Sequence, residues 1–159
     1  MAGIIIMTQT DGQFQWSVRV SANQQNRAVV FVRKHRYEVG LPLHFDEEYE
    51  QIAALEYVLG AIGADIVNGL QALARKRRLS LDYVEAVVQG ELNNPLTYLD
   101  VAGEQGHPGL EWVAIKVYVS SLEPEEQIHQ LWKDVLARSP LVRTFQKAVQ
   151  LELNLQITL

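Results

Sequence analysis

Two side chains with exchangeable protons interrupt otherwise apolar stretches of this sequence. Asp65 lies within Leu59-Gly60-Ala61-Ile62-Gly63-Ala64-Asp65-Ile66, and Ser139 directly precedes Pro140. A buried carboxylate needs a partner, and a serine becomes a nucleophile only with a base such as histidine within hydrogen-bond reach. With His129 or an arginine, Asp65 and Ser139 would form a hydrolase-like or acid/base site if the fold brought them within about 3 Å of each other or of a common substrate position. Each residue also has a plainer account. Asp65, which as the polar floor of a pocket would meet an arginine such as Arg19 or Arg143, also suits a structural ion pair or an edge-exposed carboxylate, and Ser139-Pro140 is a helix-start signal, with serine at the N-cap and proline at the first helical position. His35, His44, His107 and His129 are scattered without the spacing of metal ligands, so neither a metal nor a cofactor is predicted. Cysteine is absent from the chain, which excludes disulfides, thiolate ligands and every cysteine-based redox or nucleophilic mechanism.

Asp65 belongs to the segment around which the chain is organised, Glu47 to Arg78, which the apolar spacing predicts as one long, largely buried helix. Ile52, Leu55, Leu59, Ile62, Ile66, Gly69 or Leu70, and Leu73 recur in steps of three and four and so share one face. Asp46 is the expected N-cap, Glu47, Glu48 and Glu50 suit the positive end of the helix dipole, and Arg75 to Arg78 suit the negative end. Such a helix would run to roughly 48 Å, longer than the width of about 40 Å expected for a compact chain of this size. It must bend or project into a partner. Gly60 and Gly63 leave the backbone almost bare in its middle, so a close neighbour is expected there, from the same subunit or from a second one.

Before that helix the pattern is that of an antiparallel β-meander. Phe14 to Val20 alternates, with Phe14, Trp16, Val18 and Val20 on one face, after an Asp11-Gly12 turn and a first strand over Ile4 to Thr8. Arg27 to Val32 and Arg36 to Val39 supply the next two strands. Beyond the helix, Leu81 to Leu92 reads as a strand and Asn93 to Gly109 as a long loop with a short strand inside it. Glu111 to Val119 alternates again. An amphipathic helix starts between Ser121 and Gln127, carries Ile128, Leu131, Trp132 and Val135, and stops near Arg138. Ser139-Pro140 opens a short helix to about Ala148, and Leu151 to Ile157 alternates as a closing strand. Trp16, Trp112 and Trp132 are expected in the core, with Trp112 also near enough to the long loop to line a cavity.

The chain is 48% hydrophobic and 21% charged, the composition of one globular domain over residues 1–159 in the α+β class. No apolar run approaches the 18 or so residues of a membrane span, and Ile4-Ile5-Ile6 lacks the basic flank of a signal peptide, so a soluble cytoplasmic protein is expected. A net charge of −5 argues against general nucleic-acid binding, because the basic run at Arg75 to Arg78 is explained as a helix end.

The order of meander, long helix, strand pair, two helices and strand comes with Leu59-Gly60-Ala61 on the central helix and Ser139-Pro140-Leu141-Val142-Arg143-Thr144 opening a later one. In these features the chain resembles the OsmC/Ohr family from roughly residue 14 to 158. Members of that family carry a motif like L-G-A-C on the central helix and one like C-P-V at the second site. The resemblance implies the OsmC-like fold, an intertwined homodimer with the central helices packed between sheets, and, in the family, reduction of hydroperoxides by a pair of cysteines. It puts those cysteines at Ile62 and Ser139, so both are gone. It leaves the family's arginine open among Arg19, Arg33 and Arg36, and puts the family's glutamate near Ala53, with Glu50 and Glu56 close by. What it implies here is a homodimer without thiol peroxidase activity, structural or binding an apolar small molecule in the former redox pocket. Leu59, Gly60, Gly63, Asp65, Trp112 and Arg143 are the residues expected around that pocket. An enzyme of different chemistry at the same place, or an oxidative-stress accessory protein, are the alternatives.

Overall fold

The structure, a computed structural model, describes residues 14–25, 27–41, 43 and 48–158. The expected strand over Ile4 to Thr8, the Asp11-Gly12 turn and the Asp46 cap lie outside the described residues. Contacts divide the chain into two compact units, one running to Glu56 and the other from Tyr57 onward.

The first unit contains the meander: β1 (Arg19–Ala22), β2 (Ala28–Val32) and β3 (His35–Val39), antiparallel in the order β1-β2-β3. Val30 sits opposite Val20 on one side and Tyr37 on the other. Arg33 takes the left-handed conformation, φ 53°, at the tight turn between β2 and β3. Two expectations fail here. Phe14 to Val18 is not in a strand, and Trp16, expected in the core, is 75% exposed, as Phe14, Val18 and Val20 also largely are. Gln15, Ser17 and Arg19 between them are exposed as well, so among the described residues the alternation does not sort this segment into a buried and a solvated face.

The central helix α1 spans Ala54–Arg77, 24 residues and about 36 Å, so it starts seven residues later than predicted. Glu48 to Ala53 are not helical. Gly40 N–H donates to the Ile52 carbonyl at 2.8 Å, and Gly40 bridges Ala53 in parallel. The Glu56 carboxylate reaches back to accept from Ala53 N–H at 2.7 Å, half of a capping box. Glu48 and Glu50 therefore do not open the helix, and Ile52, half-exposed, is not part of its apolar stripe. The other end stops at a Schellman arrangement. Arg78 is left-handed at φ 59°, its N–H donates to the Arg75 carbonyl at 3.1 Å, and Leu79 N–H donates to Ala74 at 3.0 Å.

The second unit builds a sheet of β4 (Tyr83–Leu92), β5 (Leu110–Ser120) and β6 (Gln150–Thr158) in the order β4-β5-β6. The β4/β5 pair is antiparallel and β5/β6 parallel. A parallel return needs a crossover, supplied by α2 (Glu125–Arg138) and α3 (Pro140–Phe145). Val113, Ile115, Val117 and Val119 of β5 are wholly buried in one cluster with Ile62, Ile66 and Leu70 of α1 and Ile128 and Leu131 of α2. Each such burial is worth about 1.5–3 kcal/mol. Trp132 joins this core, whereas Trp112 is half-buried and donates its indole N–H to Glu152 at 2.8 Å.

α2 begins at Glu125, within the expected span of Ser121 to Gln127, while the Ser121 hydroxyl donates to the Ser80 carbonyl at 2.6 Å. Two other features differ from the sequence expectation. α3 ends at Phe145 rather than near Ala148. The long loop holds a 3-10 turn at Pro95–Thr97 instead of a strand, since Asn94 accepts from Leu96 N–H at 3.0 Å and caps it. The expectation of no membrane-length apolar segment also needs correction. α1 is long and apolar enough to cross a membrane by length and composition alone, a test that the core helix of a globular protein also passes. Counting uninterrupted apolar residues missed this because isolated charges barely lower the average. In this fold its Ile62, Ile66 and Leu70 are wholly buried.

Candidate functional site

Ile62 has no solvent exposure. On either side of it the sheet presses against α1. A Cβ added to Gly63 would come within 2.9 Å of a Val88 methyl, and one added to Gly90 within 3.0 Å of a Leu59 methyl. The position where the resemblance puts the family's first cysteine is thus filled by packed side chains. Gly60 differs from Gly63, because among the described residues nothing lies within 4 Å of the Cβ it lacks. The close neighbour expected there is absent among the described residues.

Ser139 acts as the predicted N-cap. Its hydroxyl oxygen accepts from Val142 N–H at 3.0 Å, and Pro140 occupies the first turn. The same hydroxyl donates to the carboxylate of Asp65, which Leu141 N–H also approaches at 3.4 Å. Ser139 N–H meanwhile closes α2 by donating to the Val135 carbonyl at 2.9 Å. One serine therefore ends α2, starts α3 and ties both to α1. The partner predicted for Asp65 was an arginine, and that is corrected: among the described residues no ion pair forms at Asp65. Arg143 is exposed, and Arg19, in the first unit, lies 4.0 Å over the Phe31 ring. The short cap explains the difference, since a hydroxyl and a backbone N–H satisfy a half-buried carboxylate without a second charge.

Asp65 and Ser139 border a cleft of about 280 Å³ between α1 and the α2–α3 junction, lined further by Gly69, Ala72, Leu73, Lys76, Val135, Arg138 and Pro140. Of the residues expected around a pocket, Leu59, Gly60, Ile62, Gly63, Trp112 and Arg143 do not line it. Gly69 escaped notice as a contact point, although a Cβ there would lie 2.9 Å from a Val135 methyl and block the approach of α1 to α2. The small residues Gly69 and Ala72, three apart, were the available signal. Lys76 and Arg138 were legible only as helix ends, because sequence does not show that two helix C-termini converge.

The Asp65–Ser139 contact satisfies the proximity that a hydrolytic site would need. A serine nucleophile also needs a base oriented toward it, and among the described residues neither partner is hydrogen-bonded to a histidine. The serine oxygen both donates and accepts, as a cap does. Of the family's other positions, Glu56 is bound to Ala53 N–H, Arg33 sits in a turn, and Arg36 lies in β3 of the first unit.

Comparison with known proteins agrees with this architecture. The OsmC-like protein of Mycoplasma pneumoniae superposes with a TM-score of 0.75 at 14% identity, covering 91% of this chain and 98% of its own. An organic hydroperoxide resistance protein OsmC from Legionella pneumophila gives 0.64 at 12% identity over 89% and 96%. The organic hydroperoxide resistance protein OhrB of Bacillus subtilis gives 0.57 at 12% over 89% and 98%. At these identities the likeness is one of fold. No functionally curated relative matches the chain. The sequence profile described as OsmC-like protein matches residues 46–154, more than half of the chain, and the chain belongs to the OsmC-like family.

Proposed function

We propose that this protein is an OsmC-family homodimer that does not reduce hydroperoxides through thiols and instead binds a small, largely apolar molecule. One observation carries the first half. Neither former redox position offers a nucleophile: Ile62 is sealed in the core, and the Ser139 hydroxyl is engaged with Asp65 and Val142 in a chain without cysteine. Peroxide attack needs a thiolate-like anion near neutral pH, which an alkyl group cannot become and a capping hydroxyl does not supply. The homodimer is supported by the apolar side chains Phe14, Trp16, Val18 and Val20 left in solvent, since grouped exposed apolar residues mark interaction surfaces. Gly60, bare and without a neighbour within 4 Å among the described residues, points the same way. Binding is supported by the cleft beside Ser139, which holds apolar walls and a few polar groups as ligand sites do.

Native mass spectrometry of gently purified protein, paired with a hydroperoxide assay, tests this. The expected result is two chains, a reproducible small adduct and no turnover of an organic hydroperoxide with dithiol reductant. Turnover proportional to protein concentration and resistant to metal chelation would overturn the loss of peroxidase activity. A single chain would overturn the homodimer, and two chains that never retain a small molecule would favour a purely structural role.

A further inference from the structure

The cleft between α1 and α2 has an asymmetry that narrows its ligand. Gly69 and Ala72 give it a wall without long side chains, and Leu73, Val135 and Pro140 make it apolar. Two cations, Lys76 and Arg138, stand at it, both exposed. The single acid in the cleft, Asp65, forms no ion pair with either: its carboxylate is turned to the Ser139 hydroxyl and Leu141 N–H and keeps one negative charge against their two positive ones. The neighbouring acid is taken as well. Asp134 is bound by Arg77 at 2.5 Å and by Gln130 at 3.1 Å, and Arg138 reaches it only through its field. Among the described residues no ion pair forms at Lys76 or Arg138.

We infer that this cleft is a site for a small amphipathic carboxylate, its hydrocarbon body against Ala72, Leu73 and Val135 and its head between Lys76 and Arg138. This deepens the proposed binding function and rests on it. Both cations lie in the last turn of their helices, where exposed carbonyls hold positive side chains, so their placement needs no ligand. Their convergence on an apolar cleft sets two cations beside a hydrocarbon wall, the pairing an amphipathic anion uses. A cleft of about 280 Å³ is slightly below the roughly 300–1,000 Å³ of most ligand sites. At about 30 Å³ for each water-sized group it holds about nine heavy atoms, which suits a medium-length acid rather than a long-chain lipid.

The test uses sodium octanoate and octan-1-ol as probes of the full-length protein, by calorimetry and by amide chemical shifts at Leu73 and Val135. Ala72 and both cations are exposed, so Ala72→Trp and the paired Lys76→Glu, Arg138→Glu variant should fold as the parent does. Octanoate should bind saturably to the parent and lose at least about tenfold in affinity in the charge-reversed variant, while octanol changes by less than about twofold. Ala72→Trp should abolish the binding of both. No saturable octanoate binding to the parent, equal affinity in the charge-reversed variant, or binding unaffected by Ala72→Trp would each overturn the inference. Octanoate that fails to bind a two-chain protein inert toward hydroperoxide defeats this assignment alone, whereas hydroperoxide turnover defeats the proposed loss of peroxidase activity whatever octanoate does.

Discussion

The two units of this chain make opposite use of alternating sequence. In the second, Val113, Ile115, Val117 and Val119 alternate along β5 and every one is wholly buried. In the first, Phe14, Trp16, Val18 and Val20 alternate as cleanly and all four are exposed, leaving Val29, Val30 and Ala53 as the buried apolar residues described there. A three-stranded sheet needs a packed face to be stable by itself. The second unit has that face covered by α1 and α2, whereas the alternating segment of the first stays exposed among the described residues. Alternation by itself therefore does not decide burial; a packed partner layer does.

The contrast breaks most sharply at buried and exposed apolar positions. Leu70→Ala, deep in the second unit, should cost about 2–5 kcal/mol in urea unfolding. Trp16→Ser should cost less than about 0.5 kcal/mol in the isolated subunit and weaken self-association instead, read as a fall in mass by light scattering. Equal costs at the two sites would end the distinction.

The glycines of α1 give a smaller version of the same comparison. Gly63→Ala must displace a Val88 methyl 2.9 Å away and should destabilise by about 1–3 kcal/mol. Gly60→Ala meets nothing among the described residues and should raise helix stability by about 1 kcal/mol. Thermal melts of the two variants should move in opposite directions, and a dimer that dissociates in Gly60→Ala would locate the missing neighbour in a second copy.

At the helix junction, Ser139→Ala removes a cap and strips Asp65 of its hydroxyl donor, an expected loss of about 1–2 kcal/mol in denaturant midpoint. Ser139→Asn should recover part of the cap and less of the Asp65 contact. The weakest effect belongs to the surface pair on α1 and α2. The hydrogen bond from Arg77, helped by one from Gln130, holds the Asp134 carboxyl below its usual range. A depressed native value stabilises the fold above the unfolded value and loses that contribution as pH falls through the native one. Asp134→Asn should therefore flatten the acid limb of stability against pH slightly and leave neutral stability almost unchanged, since both partners are solvated.

Much of the second unit was legible in the sequence. β5 and β6 follow from alternation, and α3 follows from two residues, Ser139 and Pro140, because capping is local chemistry. The start of α1 was misplaced because Glu47, Glu48 and Glu50 imitate an acidic first turn, whereas a nonlocal contact, Gly40 with Ile52 and Ala53, keeps that segment out of the helix. At the site, Asp65 and Ser139 were both singled out, yet their union was read as one conditional possibility among several. Their separation in sequence hides it, and helical spacing reports only which face a residue occupies. Gly69, Lys76 and Arg138 were hidden for the same reason, since a cleft is a property of two helices and neither alone encodes it.

The link between Ser139 and Asp65 also sets what a thiol could do at this junction. A cysteine placed at position 139 would lie against a carboxylate, which disfavours the thiolate that redox chemistry requires, and would exchange a strong capping oxygen for a weak sulfur acceptor. One placed at position 62 would be sealed among aliphatic side chains, where burial raises a thiol's pKa further. A reactive pair at these positions would need a change at Asp65 and a reopening of the core. Either substitution alone would cost stability without supplying a thiolate, so the present packing resists thiol chemistry one step at a time.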